Sequence, residues 1–195
     1  EGAAGSRSPA WDLLEEQVNS GFALLFPDAA AASAYLGGKF HPALLGNVVK
    51  VKDHGTLKHR LIQDLRANGV NSAVELTERQ VLPRGIDHGI DLADLGASRD
   101  EGEDVYTLVL DFKDAFMSIP LHPDEQRFNC ACSGFVLQRS RPALYADEPL
   151  SGGFVVWRTL GLGGRPNPLV FSRASSFAAR SAQALMGMTG STSSC

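Results

Sequence analysis

Val105-Tyr106-Thr107-Leu108-Val109-Leu110-Asp111-Phe112-Lys113-Asp114-Ala115-Phe116 carries the sharpest local signal in the chain. Its first six residues are β-branched, aromatic or apolar, without polar alternation. That is the pattern of a strand buried on both faces, and it predicts a strand ending at Asp111. A carboxylate just past such a strand is rigidly held where a cleft opens, and is well placed to meet a cation. Magnesium takes oxygen ligands in an octahedron and usually one or two carboxylates, with phosphates and water completing the shell. An aspartate at a strand end is also an ordinary helix cap.

Working outward, Trp11, Leu14, Val18 and Phe22 recur at near-helical spacing, which predicts a helix from Trp11 to Phe26, capped by Asp12 and ended by Pro27. The small polar segment before it, up to Pro9, reads as disordered. Ala29 to Leu36 reads as a second helix closed by Gly37-Gly38. Asn47–Val51 and Lys58–Asp64 read as two strands joined by a hairpin turn at Asp53-His54-Gly55. The Gly- and Asp-rich connection from Gly85 to Asp104 leaves room for a short helix around Ile90–Leu95. Beyond the central stretch, Phe128–Cys132 and Phe154–Leu160 read as strands flanking a long hairpin insertion, Ser133–Gly153. Pro168–Met186 reads as a helix with Pro168 in its first turn.

Charge is unevenly distributed over the 195 residues, whose net value is −4. The first 47 residues hold two basic and five acidic side chains; Val48–Arg84 holds seven and four. Gly85–Glu125 reverses this, with two basic against eleven acidic, and Gln126–Cys195 returns to seven against two. Two basic blocks therefore flank a carboxylate-rich one, a layout that suits metal ions and polyphosphate between cationic walls. Solvated surface charge clustered by chance gives the same counts. Eighteen consecutive apolar residues occur nowhere, which predicts no membrane span. The first residues lack the basic start and apolar stretch of a secretory signal. Cys130 and Cys132 would share one strand face and match no four-ligand zinc spacing. Buried thiols in a reducing, intracellular setting are the simpler reading; nucleus and cytoplasm are not distinguished.

Three segments together resemble a family. Val51-Lys52-Asp53-His54-Gly55-Thr56-Leu57-Lys58-His59-Arg60-Leu61-Ile62-Gln63-Asp64-Leu65-Arg66, followed by Asn68 and Asn71, resembles the fingers hairpin of retroviral and retrotransposon reverse transcriptases. Leu110 to Pro123 resembles that family's motif A. Trp157-Arg158-Thr159-Leu160-Gly161-Leu162-Gly163-Gly164-Arg165-Pro166-Asn167-Pro168-Leu169-Val170-Phe171 resembles its motif B. The three stand in the family's order, and the resemblance covers Val48 to Ala179, roughly two-thirds of the chain.

The resemblance implies an α+β right-hand polymerase fragment, with a fingers hairpin and part of a ferredoxin-like palm. Residues 1–47 would form an N-terminal helical region, 48–104 the fingers, 105–180 a partial palm and 181–195 a tail. Asp111 matches the aspartate that binds two catalytic magnesium ions, with the Phe112 backbone carbonyl as a further ligand. Phe116 matches the aromatic that excludes a ribose 2′-hydroxyl by contact with C2′; plain core packing is its alternative role. Arg60 matches the arginine that holds the incoming triphosphate, for which a planar guanidinium fork is suited. Lys52 lies one residue from the companion lysine's position, which Asp53 occupies. Gly163 and Arg165 match residues lining the nucleotide and template side of the cleft. Asp64 and Arg66 would brace the hairpin base, and Asp114 would be structural or face the nucleotide. Leu162 and Gly161 depart from the family's glutamine or aromatic and its proline, so a fidelity role at Leu162 is not implied.

Motif C, an aromatic followed by one residue and Asp-Asp, finds no match, and no acidic residue follows Glu148. A two-metal displacement needs ligands for both ions, so the expectation is a fragment of a reverse transcriptase that is inactive by itself. The partners implied for the intact parent are an RNA or DNA template with primer and deoxynucleoside triphosphates; the rest of the palm and the thumb would complete it. Two alternatives stand beside this reading. One is a non-catalytic nucleic-acid-binding remnant. The other is an unrelated α/β enzyme using Asp111 and Asp114 for hydrolysis.

Overall fold

The computed structural model describes residues 9–79, 81, 84–138 and 153–190. The start before Pro9 and most of the insertion after β4 lie outside them. The fold is mixed α and β, around one five-stranded sheet of order β1-β5-β4-β2-β3. The strands are β1 (Ala23–Phe26), β2 (Pro42–Val51), β3 (Leu57–Gln63), β4 (Cys130–Gln138) and β5 (Phe154–Trp157). β2 and β4 run parallel, and every other neighbouring pair is antiparallel. The expected hairpin, Asn47–Val51 with Lys58–Asp64, is present as the longer β2–β3 pair. Its turn closes through Lys52 N–H to the Thr56 carbonyl at 2.9 Å.

The chain groups into two compact units. One comprises the residues up to Glu75 with Asp114–Phe171, and the other Leu76–Lys113 with Ser172 onward. The first unit contains the whole sheet. Alternation along its central strands supplies two apolar faces. Ala23, Ala43, Leu45, Leu61, Ala131, Val155 and Trp157 gather with Ala10 and Leu14 of helix α1 (Pro9–Asn19). Cys132 and Phe154 pack with Ala32 of helix α2 (Ala29–Tyr35), and Cys130 and Val156 with Leu36 at its end. All four residues of β5 are buried, as expected for a strand covered on both sides. The Trp157 indole N–H donates to Gln17 Oε1 at 2.8 Å, tying α1 to the sheet.

Several expectations need correction. The helix predicted to reach Phe26 stops at Asn19, because Gly21 adopts φ +75 and closes it with a paired-amide turn. The Phe22 N–H bonds the Gln17 carbonyl and the Gly21 N–H the Val18 carbonyl, each at 3.0 Å. The residues that follow form β1. Asp12 lies inside the first turn of α1 rather than capping it, where a carboxylate favours the helix dipole. The second helix starts as the sequence suggests, with Asp28 accepting the Ala31 N–H at 2.8 Å.

The central strand does not form. Val105–Leu110 is irregular and exposed, with Tyr106 at 86% and Val109 at 81% of full exposure. Apolar composition favours burial on two faces only where neighbouring strands supply a ladder, and among the described residues none pairs with this segment. In the same unit, helix α4 (Gly85–Ser98) is longer than the short helix expected around Ile90, and it buries none of its residues. α5 (Asn167–Gly190) begins in the first unit and continues in the second, past the predicted end at Met186. β4 extends beyond Cys132 to Gln138.

Candidate nucleic-acid interface

The β2–β3 hairpin positions a set of cations through its register. Lys50 faces Lys58 directly, and Val48 faces Arg60. Strand alternation therefore places Lys50, Lys58 and Arg60 on one face, with Gly46, Val48 and Ile62 behind them. All three cations are exposed, and among the described residues none has a carboxylate within ion-pair distance. Like charges directly across an antiparallel pair oppose the pairing, so an anion over this face would relieve a repulsion built into the strand register. Lys52 lies in the turn beside them, and also lines a shallow depression with Asp12 and Glu16 of α1.

At the base of the hairpin the chain makes a short helix, α3 (Val70–Ala73), and the segment after β5 returns to meet it. That segment, Gly161-Leu162-Gly163-Gly164-Arg165, runs against the free edge of β3. The Gln63 N–H donates to the Leu162 carbonyl at 2.8 Å. Gly163 adopts φ +125, and a side chain there would overlap the Gln63 carbonyl oxygen. Asn71 Nδ2 donates to the Gly163 carbonyl at 2.9 Å, and Asn71 Oδ1 accepts the Arg165 N–H at 2.8 Å. The buried Asn167 donates through Nδ2 to the Gly161 carbonyl at 2.6 Å. The loop, the strand end and Arg66 line a pocket of about 210 Å³ that also includes Asp64 and Asn71.

Gly163, Arg165, Asp64 and Arg66 are thus neighbours at the hairpin base, while Arg60 stands farther along the same hairpin. The Asp64 carboxylate accepts the Ala67 N–H at 3.2 Å, a bond within the turn that follows the hairpin. Arg66 is exposed. The Arg165 guanidinium donates to the Val74 carbonyl at 3.3 Å and otherwise faces solvent. Phe116 is half-buried, and its ring meets Phe171 edge-on with centroids 5.8 Å apart. The contact joins the two segments that carry motif-like residues, and it is also plain packing. Asp114 has φ +51, a conformation that Asp tolerates better than most residues. Its carbonyl accepts the Ser118 N–H at 3.1 Å, so it acts in a turn.

Asp111 and Phe112 belong to the other compact unit, on exposed irregular backbone. Among the described residues no three His, Cys, Asp or Glu side chains gather as a metal-ligand set. Asp111 contributes one carboxylate, and among the described residues no further carboxylates gather with it into a two-ion site. Cys130 and Cys132 are buried free thiols on one face of β4, as their spacing predicts. Burial pushes the Cys130 thiol up to about 12 and raises Cys132 as well. Both are therefore protonated packing groups at neutral pH.

The residues that the sequence left without a role are Lys50, Lys58, Gln63 and Asn167, with Asn71 noted only for its place in the segment. The lysines were open to inference: a hairpin turn centred on Asp53-His54-Gly55 sets a register that puts them opposite one another. The bonds made by Gln63, Asn71 and Asn167 join segments far apart in sequence and leave no local signal. No helix of the described residues is long and apolar enough to cross a membrane. No protein-family model matches the sequence, and no curated protein matches it significantly.

Proposed function

We propose that this chain is the fingers and partial palm of a right-hand polymerase, an RNA-directed DNA polymerase (reverse transcriptase) of a retroelement. In the intact parent it would serve template-directed addition of deoxynucleotides to a primer 3′ end, inside the cell. The observation that carries the reading is the seating of the Gly161–Arg165 loop on the base of the cationic hairpin, through Gln63 and Asn71. These segments lie about ninety residues apart in sequence, and the resemblance assigns both to the same nucleotide-facing side. In this reading Arg60 holds the triphosphate, Lys52 assists it, and Gly163 and Arg165 face the template. Phe116 limits the sugar.

Two magnesium ions would polarise the transferred phosphate when bound. They require carboxylates besides Asp111 and the Phe112 carbonyl. The chain by itself is therefore proposed to bind nucleic acid without extending a primer. A non-catalytic binding remnant shares the same cationic face and is favoured by the exposed position of Asp111, which among the described residues belongs to no group of three metal-ligating side chains.

Photo-cross-linking with an azido-substituted deoxynucleoside triphosphate tests the polymerase reading against the remnant. Label should appear in peptides covering Leu57–Gln63 and Gly161–Asn167, and should fall away in Arg60→Ala. Label confined to other peptides, or indifferent to Arg60, would refute it.

A further inference from the structure

The carbonyls of Gly161, Leu162 and Gly163 all accept hydrogen bonds from within the protein. Their donors are Asn167 Nδ2 at 2.6 Å, Gln63 N at 2.8 Å and Asn71 Nδ2 at 2.9 Å. In a trans peptide the N–H of the next residue points opposite to the carbonyl. The amides of Leu162, Gly163 and Gly164 are therefore turned away from these partners, and among the described residues none of the three donates to an acceptor. The next amide, of Arg165, is held by Asn71 Oδ1 at 2.8 Å.

One side chain thus engages the loop at two points, with donor and acceptor on a single planar group. Asparagine can do this at Gly163 and Arg165 together; aspartate keeps the acceptor and loses the donor, and an aliphatic residue loses both. The Arg165 side chain is steadied from the same short helical segment by the Val74 carbonyl, and its remaining donors are exposed. Unpaired backbone amides beside a guanidinium are the donor set that a phosphate oxygen accepts most strongly.

We infer that Asn71 is a positioning residue that holds the Gly161–Arg165 loop in the form presenting its amides and Arg165 to a phosphate of a nucleic-acid strand. The inference deepens the proposed function and rests on it. Asn71 touches no substrate; it acts through Arg165 and the loop amides. Asp64 lines the same pocket, but its carboxylate is engaged by the Ala67 amide and Arg66 stands beside it.

The test is equilibrium binding of a single-stranded oligothymidylate to the full chain over a range of salt, with hydrogen exchange of the loop amides read in parallel. Asn71→Ala should weaken binding about tenfold, the loss of one hydrogen bond to a charged group. It should flatten the salt dependence by about 0.7, the share of one phosphate. Arg165→Ala should do the same, and the double variant should be no weaker than either alone, since both remove one device. Exchange at Arg165 should quicken in Asn71→Ala and stay slow in Asn71→Asp, which keeps the acceptor and guards against a folding defect. Wild-type binding with an unaffected Asn71→Ala, or with losses that add in full, would overturn the inference and leave the parent reading standing. Absence of binding by the wild type would sink both.

Discussion

Gly163 shows how tightly the residues at the hairpin base are fitted. Its φ of +125 is open to glycine, and a Cβ there would meet the Gln63 carbonyl oxygen. Gly163→Ala should destabilise the first unit by about 3 kcal/mol, near the upper end for single substitutions; chemical denaturation followed through Trp157 would measure it, and a loss below half that would show that the loop can shift. Cys130 gives a pH signature of another kind. Its folded-state value is raised to about 12 from 9.0 by burial, so the folded protein retains a proton that the unfolded chain releases. Its contribution is complete below about pH 9 and declines towards pH 12, by at most about 1.4 kcal/mol per pH unit. Cys130→Ala should lose that part of the alkaline slope. The shared face of Cys130 and Cys132 was legible from one-residue spacing in a strand. The clamp made by Asn71 was not, because its partners lie about ninety residues away in sequence.

Helices and strands followed the sequence where their signals are local. Asp28 before an alanine-rich run marks the start of α2, and its carboxylate bonds the Ala31 amide. Asp28→Ala should cost about 1 kcal/mol, read as a lower denaturation midpoint; an unchanged midpoint would show that tertiary packing alone sets that helix end. Gly21 was a stop signal hidden inside a plausible 3.6-residue pattern, and it turned the end of one predicted helix into an edge strand. α4 begins with reciprocal bonds between Arg84 and Asp87, and the Arg84 side chain holds the Asp87 carboxyl below the usual carboxylate range. That arrangement contributes above the ordinary carboxylate value and is lost as pH falls through the folded one. On acidification Asp87 should therefore take up its proton below the usual carboxylate range in carboxylate-resolved NMR, and Arg84→Ala should move it back up; an unmoved Asp87 would show that the pair does not persist in solution. Val105–Leu110 marks the limit of such reading. Its composition announces a doubly buried strand, but a strand exists only with a ladder partner, and composition does not reveal whether one is at hand.

For the molecule as a whole, net charge misleads and its placement informs. A total of −4 coexists with a hairpin whose Lys50, Lys58 and Arg60 share one exposed face with no carboxylate within ion-pair distance among the described residues, although Lys58 lines a depression with Asp12 and Glu16. The acidic block falls largely in the other compact unit, around α4 and the segment up to Asp111. Affinity for nucleic acid should therefore be modest, and the chain alone should not extend a primer in magnesium and deoxynucleotides. Extension abolished by Asp111→Ala would show that further carboxylates are recruited to it. Whether the hairpin and the Gly161–Arg165 loop form a nucleic-acid surface is decided by binding of a fluorescent primer–template duplex between about 50 and about 200 mM salt, which spans the usual electrostatic range. Binding should be weak and fall as salt rises, with Arg60→Ala and Arg165→Ala each reducing the logarithmic slope by about one. Binding that is absent, or tight and indifferent to salt and to both arginines, would rule that surface out.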